Sequence, residues 1–257
     1  MEVIILKDYD SISKKGAEIV IEAVNAKSDL VLGLATGSTP LGMYKEIIDS
    51  FNAGEVDLSN VTTFNLDEYC GLFPEHPQSY NYYMHTNLFK HVNIDPDKIN
   101  LPNGMAKDFN EECRSYDEKI RRVGGIDLQV LGIGVNGHIG FNEPGTDYGS
   151  ETQIVKLAKE TIEANSRFFE NVGDVPTTAI SMGLKSIMRS KRILLLASGN
   201  NKASAIFNTI KGPVDPQVPA SILQLHPDVI IVLDREAADL LMEEHGDLDD
   251  KEIRFSL

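Results

Sequence analysis

Six short apolar runs, separated by longer stretches with helical periodicity, constrain the fold more than any other feature of this sequence. The runs contain few polar residues, which is typical of strands that are covered on both faces of a sheet. They lie at residues 3–6, 30–35, 61–66, 128–133, 193–197 and 229–233. The helical stretches lie at residues 11–26, 41–53, 110–123, 178–190 and 202–210. This order predicts an α/β fold with a mostly parallel sheet and right-handed crossovers.

The composition and the charge predict one globular domain that avoids polyanions. The 257 residues contain no Gly/Ser-rich or Pro-rich linker and no internal repeat, so we expect a single domain over residues 1–257. Asp and Glu total 39 against 24 Lys and Arg. The resulting formal charge of −15 disfavours binding to nucleic acid or to an anionic membrane surface.

Other global features exclude further classes of protein. No apolar stretch reaches the roughly 18–20 residues that span a membrane, and the amino terminus lacks a signal-peptide pattern, so we expect a soluble, cytoplasmic protein. Cys70 and Cys113 are too few for a disulfide framework, and we expect reduced thiols. We find no metal-ligand spacing among His76, His85, His91, His226 and His245, so we expect no metal. We expect the acidic tail at residues 243–252 to be a solvated, frayed helix end.

The loop after the second predicted strand has the composition of an anion site. In open parallel sheets, ligands bind where the carboxyl ends of the strands meet the loops that follow. This loop precedes a helix and contains four small residues: Thr36, Gly37, Ser38 and Thr39. Its backbone N–H and hydroxyl groups predict a site suited to one phosphate. The alternative is an ordinary strand–turn–helix connection with a Ser/Thr cap.

Two adjacent carboxylates, Asp67 and Glu68, follow the third predicted strand. A carboxylate at this edge of the sheet lies in the binding crevice, where it can act as a general base on carbon. The alternative for Asp67 is a structural one, because Asp also caps helices and turns through its side-chain oxygens.

The glycine-rich segment at residues 132–144 contains a GxGxxG spacing but does not support a dinucleotide site. It follows a strand in the middle of the chain, and a glycine and a proline break the helix that would receive the pyrophosphate. We interpret the segment as a tight turn that presents His138 beside Asn136 and Glu143. Histidine carries protons near neutral pH, and a neighbouring carboxylate can orient it or hold it charged.

Two cations complete the set of candidates. Arg167 and Lys202 lie in polar segments, and Lys202 follows a predicted strand. Arginine can bind a phosphate through two hydrogen bonds, and lysine can bind it as a point charge. The alternative for each is a solvated surface side chain.

At these positions the sequence resembles the glucosamine-6-phosphate deaminases, also called glucosamine-6-phosphate isomerases. The similar segments occur in order from about residue 30 to residue 235, over nearly the whole predicted domain. They are LGLATGSTPLGMY (32–44), TFNLDEYCGL (63–72), HPQSYNYYM (76–84), LPNG (101–104), LGIGVNGHIGFNEPG (131–145), ANSRFF (164–169) and LQLHPDV (223–229). The combination of NLDEY with NGHIGFNEP is specific to this family.

The resemblance implies a Rossmann-like α/β fold and a reaction without a cofactor or metal. The reaction converts D-glucosamine 6-phosphate and water to D-fructose 6-phosphate and ammonia. His138 would assist opening of the sugar ring, with Glu143 and Asn136 positioning it, and Asp67 would move a proton from C2 to C1. The sugar phosphate would bind to the following residues: Thr36, Gly37, Ser38, Thr39, Arg167 and Lys202.

Two departures from the family pattern qualify this expectation. Asn136 stands where many members have Asp, which leaves Glu143 as the only acid beside His138. Gln153 and Val155 stand where activated hexameric members carry cations for the activator N-acetylglucosamine 6-phosphate. We therefore expect a monomer or a small homo-oligomer, and not an activator-regulated hexamer.

Two other functions remain open at this point. A 6-phosphogluconolactonase-like hydrolase would share the fold and the sugar-phosphate site but would not need Asp67. A non-enzymatic sugar-phosphate-binding domain of a transcription regulator would also share the architecture. Such a regulator needs a DNA-binding module, and this chain has no basic helix-turn-helix extension.

Overall fold

The structure is a computed structural model that describes residues 1–157, 175–242 and 252–256. Its strands are β1 (Glu2–Leu6), β2 (Val31–Leu34), β3 (Thr62–Asn65), β4 (Asp67–Tyr69), β5 (Ile99–Asn100), β6 (Leu128–Leu131), β7 (Gln153–Lys156), β8 (Thr178–Ser181), β9 (Arg192–Ala197), β10 (Val229–Asp234) and β11 (Ile253–Ser256). Its α-helices are α1 (Tyr9–Ala26), α2 (Leu41–Asn52), α3 (Tyr80–Asn87), α4 (Phe109–Arg122), α5 (Leu184–Met188), α6 (Ala203–Ile210) and α7 (Asp239–Met242). Short 3₁₀ helices occupy Phe89–His91, Pro96–Lys98, Asn200–Lys202 and Pro219–Leu225.

Eight strands form the main sheet in the order β11-β1-β10-β9-β6-β2-β3-β5. Neighbouring strands are parallel except β11, which runs antiparallel to β1. The six predicted strands are β1, β2, β3, β6, β9 and β10, so the mostly parallel, Rossmann-like sheet is confirmed. All residues of β2 and β6 are buried, which explains why Gln129 is the only polar residue of these two strands.

The strand order places a crevice between β2 and β6. After β2 the chain continues to β3 on one side, whereas after β6 it continues to β9 on the other side. Connections that leave neighbouring strands in opposite directions open a gap at their carboxyl ends, where ligands of such sheets bind.

Three further strands form a small antiparallel sheet in the order β4-β8-β7. The predicted helix at residues 178–190 is therefore wrong in its first half, because Thr178–Ser181 is β8 and only Leu184–Met188 is helical. β8 is paired on both sides, so its backbone groups bond to β4 and β7. Gly183 separates strand from helix, and a Cβ atom there would lie 2.3 Å from two backbone oxygens.

The other four predicted helices are confirmed: residues 11–26 form α1, 41–53 form α2, 110–123 form α4 and 202–210 form α6. The helix α3 was not predicted, because Met84 is its only buried residue and it has no apolar periodicity. Of the acidic tail, residues 243–251 lie outside the described residues. Cys70 and Cys113 are free thiols. In the described ranges, no helix has the length and apolar character needed to cross a membrane.

Candidate active site

A cleft of about 350 Å³ opens at the crevice between β2 and β6. Its walls come from the loops after β2, β3 and β6, with contributions from α3 and from the 3₁₀ helix that contains Lys202. The lining residues are Ala35, Thr36, Gly37, Ser38, Thr39, Leu66, Asp67, Tyr80, Gly132, Ile133, Gly134, Val135, His138, Gly140, Phe141 and Lys202. Seven residues proposed from the sequence therefore share one cleft.

One end of the cleft is formed by residues 36–39, which we call the amide loop. It leads from β2 into α2, and Gly37 adopts a φ of +97°, a conformation that favours glycine. The backbone N–H groups of its four residues bond to no acceptor in the described part of the protein. Unpaired N–H groups before a helix attract anions, because they and the helix dipole present partial positive charge.

Lys202 supplies a full positive charge to the same cleft. It is half-buried, and it forms no ion pair with any described residue. Burial lowers the pKa of its ammonium group, because no carboxylate compensates for the lost hydration. An unpaired cation and unpaired N–H groups in the same cleft make it a site for an anion. Arg167, the second predicted cation, lies outside the described residues.

Asp67, the first residue of β4, also lines the cleft. Its side chain is buried, with 6% of the residue exposed, and no described residue donates a hydrogen bond to its carboxylate. Burial, and to a smaller extent the charge of Glu68, raises the pKa of Asp67 to about 8. A Cβ atom on Gly140 would lie 3.8 Å from Asp67 Oδ2, so the turn that carries His138 passes close to this carboxylate.

Glu68 has a different, structural role. Its carboxylate accepts three backbone hydrogen bonds: from Tyr69 (2.8 Å), Tyr80 (2.9 Å) and Asn81 (2.8 Å). Two of these donors belong to the first turn of α3, so Glu68 caps that helix from a distant strand. The adjacent carboxylates are thus divided between two tasks. Glu68 holds α3, whereas Asp67 has no structural partner and faces the cleft.

The turn after β6 positions His138. Gly137 has a φ of +82°, and a Cβ atom on Gly134 would lie 2.3 Å from the His138 ring, so only glycine allows this close packing. Nδ1 of His138 lies 3.3 Å from Oε1 of Glu143, within ion-pair distance but without the alignment of a hydrogen bond. Nε2 is therefore the ring nitrogen available to a ligand in the cleft.

Asn136 and Glu143 do not line the cleft but contact the histidine. Asn136 Nδ2 donates to Oε2 of Glu143 at 2.7 Å, and its Oδ1 accepts the backbone N–H of His138 at 3.2 Å. The His138 ring is the main cause that lowers the pKa of Glu143, and Asn136 contributes in the same direction. Asn136 thus joins the carboxylate of Glu143 to the backbone of His138, although it carries no charge itself.

The sequence analysis missed two aromatic residues of the cleft. Tyr80 and Phe141 both line it, with ring centroids 6.1 Å apart and planes inclined by 17°. Phe141 lies between His138 and Glu143 in sequence, and Tyr80 begins α3. The aromatic run in residues 80–83 was the available signal, but only the cap by Glu68 explains why it faces the cleft.

Comparison with known proteins identifies relatives. Residues 9–231 match the sequence profile of the glucosamine-6-phosphate isomerases/6-phosphogluconolactonase family. Glucosamine-6-phosphate deaminase from Thermoanaerobacter pseudethanolicus is 57% identical over 244 residues, which cover 95% of this chain and 96% of that protein. Glucosamine-6-phosphate deaminase from Clostridium botulinum (strain Loch Maree) is 57% identical over 241 residues, which cover 94% and 99%.

Solved structures share the fold. A monomeric glucosamine-6-phosphate deaminase matches with a TM-score of 0.90 and 44% identity, over 93% of this chain and 100% of that chain. The 6-phosphogluconolactonase from Trypanosoma brucei matches with a TM-score of 0.77 and 16% identity, over 93% and 98%, which shows a common fold alone. From the profile match and the identity over nearly the whole chain, this protein belongs to the family of glucosamine-6-phosphate isomerases and 6-phosphogluconolactonases.

Proposed function

We propose that this protein is an enzyme that converts D-glucosamine 6-phosphate and water to D-fructose 6-phosphate and ammonia. The proposal rests on the groups that line one cleft. An anion site and a buried carboxylate without a hydrogen-bond donor line the same cleft, and the turn that carries a histidine–glutamate pair passes close to that carboxylate. The 57% identity to glucosamine-6-phosphate deaminases supports the same reaction.

The phosphate of the substrate binds at the amide loop and Lys202. Four N–H groups and one ammonium group there have no partner in the described protein, so a dianionic phosphate replaces water at donors that are already in place. Binding at this remote end fixes the reacting carbons at the other end of the cleft.

His138 opens the pyranose ring. Its Nε2 exchanges a proton between the hydroxyl at C1 and the ring oxygen, which breaks the C1–O5 bond and gives the open-chain aldehyde. Glu143 stabilises the protonated imidazole through Nδ1, and Asn136 holds that carboxylate by a hydrogen bond. Glu143 alone supplies the negative charge beside His138, because Asn136 stands where many family members have a second carboxylate.

Asp67 then moves the proton that isomerises the sugar. It removes the proton from C2 and returns it to C1, while the C2 ammonium group gives up one proton and the C1 oxygen takes one up. The aldehyde becomes a hydroxymethyl group, and C2 becomes an iminium carbon. Water adds to the iminium, and ammonia leaves. The C2 ammonium of the substrate also complements a buried carboxylate, because a nearby positive charge lowers the raised pKa of Asp67 toward its ordinary range.

Direct assay tests the proposed function. The purified protein is incubated with glucosamine 6-phosphate, and the release of ammonia and of fructose 6-phosphate is measured. We expect equimolar release of both. Hydrolysis of 6-phosphogluconolactone is measured in parallel. Folded protein that hydrolyses the lactone, or that binds glucosamine 6-phosphate without turnover, would contradict the proposal in favour of one of the two alternative functions.

Substitution of Lys202 tests the phosphate end of the cleft. We expect Lys202→Gln to raise KM for glucosamine 6-phosphate by about 10–100-fold, because a charge-assisted contact to the phosphate is lost. The effect on kcat is expected to be smaller, since Lys202 lies at the end away from the reacting carbons. Lys45→Gln, an exposed position on α2, is the matched control. Equal KM values for both variants would argue against a phosphate at Lys202.

We also propose that the enzyme acts as a monomer or a small oligomer without activation by N-acetylglucosamine 6-phosphate. The neutral side chains of Gln153 and Val155, both half-buried on β7, support this, as does the similarity to a monomeric deaminase. The formal charge of −15 is consistent with a small-molecule substrate and no nucleic-acid partner. We expect hyperbolic kinetics that the activator does not change. A sigmoidal curve that the activator makes hyperbolic would overturn this proposal.

A further inference from the structure

We propose that Tyr44, Tyr83 and Tyr9 are positioning residues that fix the peptide groups of the amide loop and thereby set its affinity for phosphate. This inference rests on the proposed function, because it assigns the amide loop to the phosphate of the substrate. The three tyrosines come from three different helices: α2, α3 and α1.

Each tyrosine hydroxyl donates to a different backbone carbonyl in or next to the amide loop. The bonds are Tyr44 Oη to Ala35 O (2.5 Å), Tyr83 Oη to Gly37 O (2.6 Å) and Tyr9 Oη to Ser38 O (3.0 Å). Tyr9 Oη also accepts the backbone N–H of Gly42 at 2.8 Å, which ties the loop to the first turn of α2. Three of four successive carbonyls are therefore held by side chains.

These bonds determine where the N–H groups point. A trans peptide group is planar, and its N–H is directed opposite to its C=O. The carbonyls of Ala35, Gly37 and Ser38 belong to the same peptide groups as the N–H groups of the next residues: Thr36, Ser38 and Thr39. Because the carbonyls are drawn toward the tyrosines, these N–H groups face the opposite side, and none bonds to a described protein acceptor.

The loop needs such support because it lacks packing of its own. Gly37 and Ser38 are exposed, and no atom lies within 4 Å of the position of a Cβ on Gly37. An unsupported loop of this kind would lose conformational entropy when it ordered around a phosphate. Donors that are fixed in advance avoid that loss.

The hydroxyl groups remain donors over the working pH range. Burial raises the pKa of both Tyr44 and Tyr83, so neither becomes a phenolate under ordinary conditions. Tyr44 is fully buried. Without its hydroxyl, the Ala35 carbonyl would lose this partner, so Tyr44→Phe would also lower stability. Tyr83 is half-buried and is therefore the better position for a test.

The test compares Tyr83→Phe with Tyr82→Phe. Tyr82 lies on the same helix, is 43% exposed, and its hydroxyl has no hydrogen bond with any described residue. Titration calorimetry measures binding of inorganic phosphate, and steady-state assays give KM and kcat for glucosamine 6-phosphate. For Tyr83→Phe we expect both the phosphate Kd and KM to rise about threefold to tenfold, as for one lost hydrogen bond, with kcat within about twofold. Tyr82→Phe should change none of them.

A second variant guards against an indirect effect through α3. Tyr9→Phe removes the bond from α1 and is expected to weaken phosphate binding to a similar extent. An unchanged phosphate Kd in both variants would overturn the inference, as would a loss of kcat at constant KM. If the wild-type protein binds phosphate but does not deaminate glucosamine 6-phosphate, the proposed function fails, while the phosphate titrations still decide the role of the tyrosines. A wild-type protein that binds no phosphate would overturn the inference itself.

Discussion

Substitution of Asp67 by Asn is expected to lower kcat for glucosamine 6-phosphate by about 10²–10⁴-fold, the range for loss of a positioned general base. Asn has nearly the same shape but cannot accept the C2 proton. Since Asp67 belongs to β4 and forms no hydrogen bond with the amide loop, the Kd for inorganic phosphate should not change. NMR can monitor the exchange of the C2 proton with deuterium from the solvent. The rate of this exchange should fall by the same factor as the rate of ammonia release.

The wild-type enzyme should show the ionisation of Asp67 in its pH profile. A base acts only when it has lost its proton, so kcat/KM should rise with pH and level off near the pKa of about 8. In the profile of kcat this limb should lie at lower pH, because the bound substrate carries an ammonium group next to the carboxylate. A kcat/KM profile that is flat from pH 6 to pH 9 would contradict the role of Asp67.

The substitution Asp67→Asn should also increase the stability of the folded protein. Between the ordinary pKa of 3.8 and about 8, folded Asp67 keeps a proton that the unfolded chain has lost. The folded state is therefore destabilised as pH rises through this window, by at most about 1.4 kcal/mol per pH unit. Asn cannot ionise, so the stability gain of Asp67→Asn should grow from about pH 4 to pH 8 and then remain constant. Urea unfolding at several pH values measures it.

Asp117 provides the matched control for a buried carboxylate. It is also 6% exposed, but it accepts hydrogen bonds from Thr152 N (2.9 Å), Thr152 Oγ1 (2.8 Å) and Ser186 Oγ (2.9 Å). These bonds join α4 to the residue before β7 and to α5. Asp117→Asn should cost about 1–3 kcal/mol of stability and leave kcat nearly unchanged. If Asp67→Asn behaved in the same way, Asp67 would be a structural residue.

Substitution of His138 by Gln is expected to slow turnover of glucosamine 6-phosphate by about 10²–10³-fold, because ring opening loses its proton carrier. An analogue that is blocked at the C5 oxygen cannot form the pyranose ring, and its turnover should fall much less. The comparison of kcat/KM for the two substrates measures the part of the effect that belongs to ring opening.

His85→Gln is the control for His138→Gln. His85 is exposed on α3, and its ring contacts Phe89 rather than the cleft. It should leave both substrates unaffected. Equal losses on the cyclic and the blocked substrate in His138→Gln would instead place the histidine in the isomerisation step and contradict the assignment given above.

The sequence predicted the main sheet because burial on both faces leaves a local signature in each strand. It could not predict β8, because Thr178–Ser181 is a strand only through its pairing with β4 and β7, which lie far away in the chain. The catalytic candidates stood out as polar residues at strand ends. The different roles of Asp67 and Glu68 could not be predicted, because the helix that Glu68 caps begins 12 residues later in the chain. The tyrosine contacts of the amide loop are likewise non-local.

The cap of α3 by Glu68 has a consequence for substrate choice. Glu68 holds the start of this helix, and Tyr83 holds Gly37, so α3 connects the strand that carries Asp67 to the amide loop. Only three residues, or about 4.5 Å of helix, separate Tyr80 from Tyr83, a span too short and too regular to stretch. The fixed length of this helix therefore sets the length of the sugar that the cleft can bind productively. A homologue with one carbon more or fewer between C2 and the phosphate would misplace C2 by about 1 Å or more, an error that can cost a hundredfold in rate.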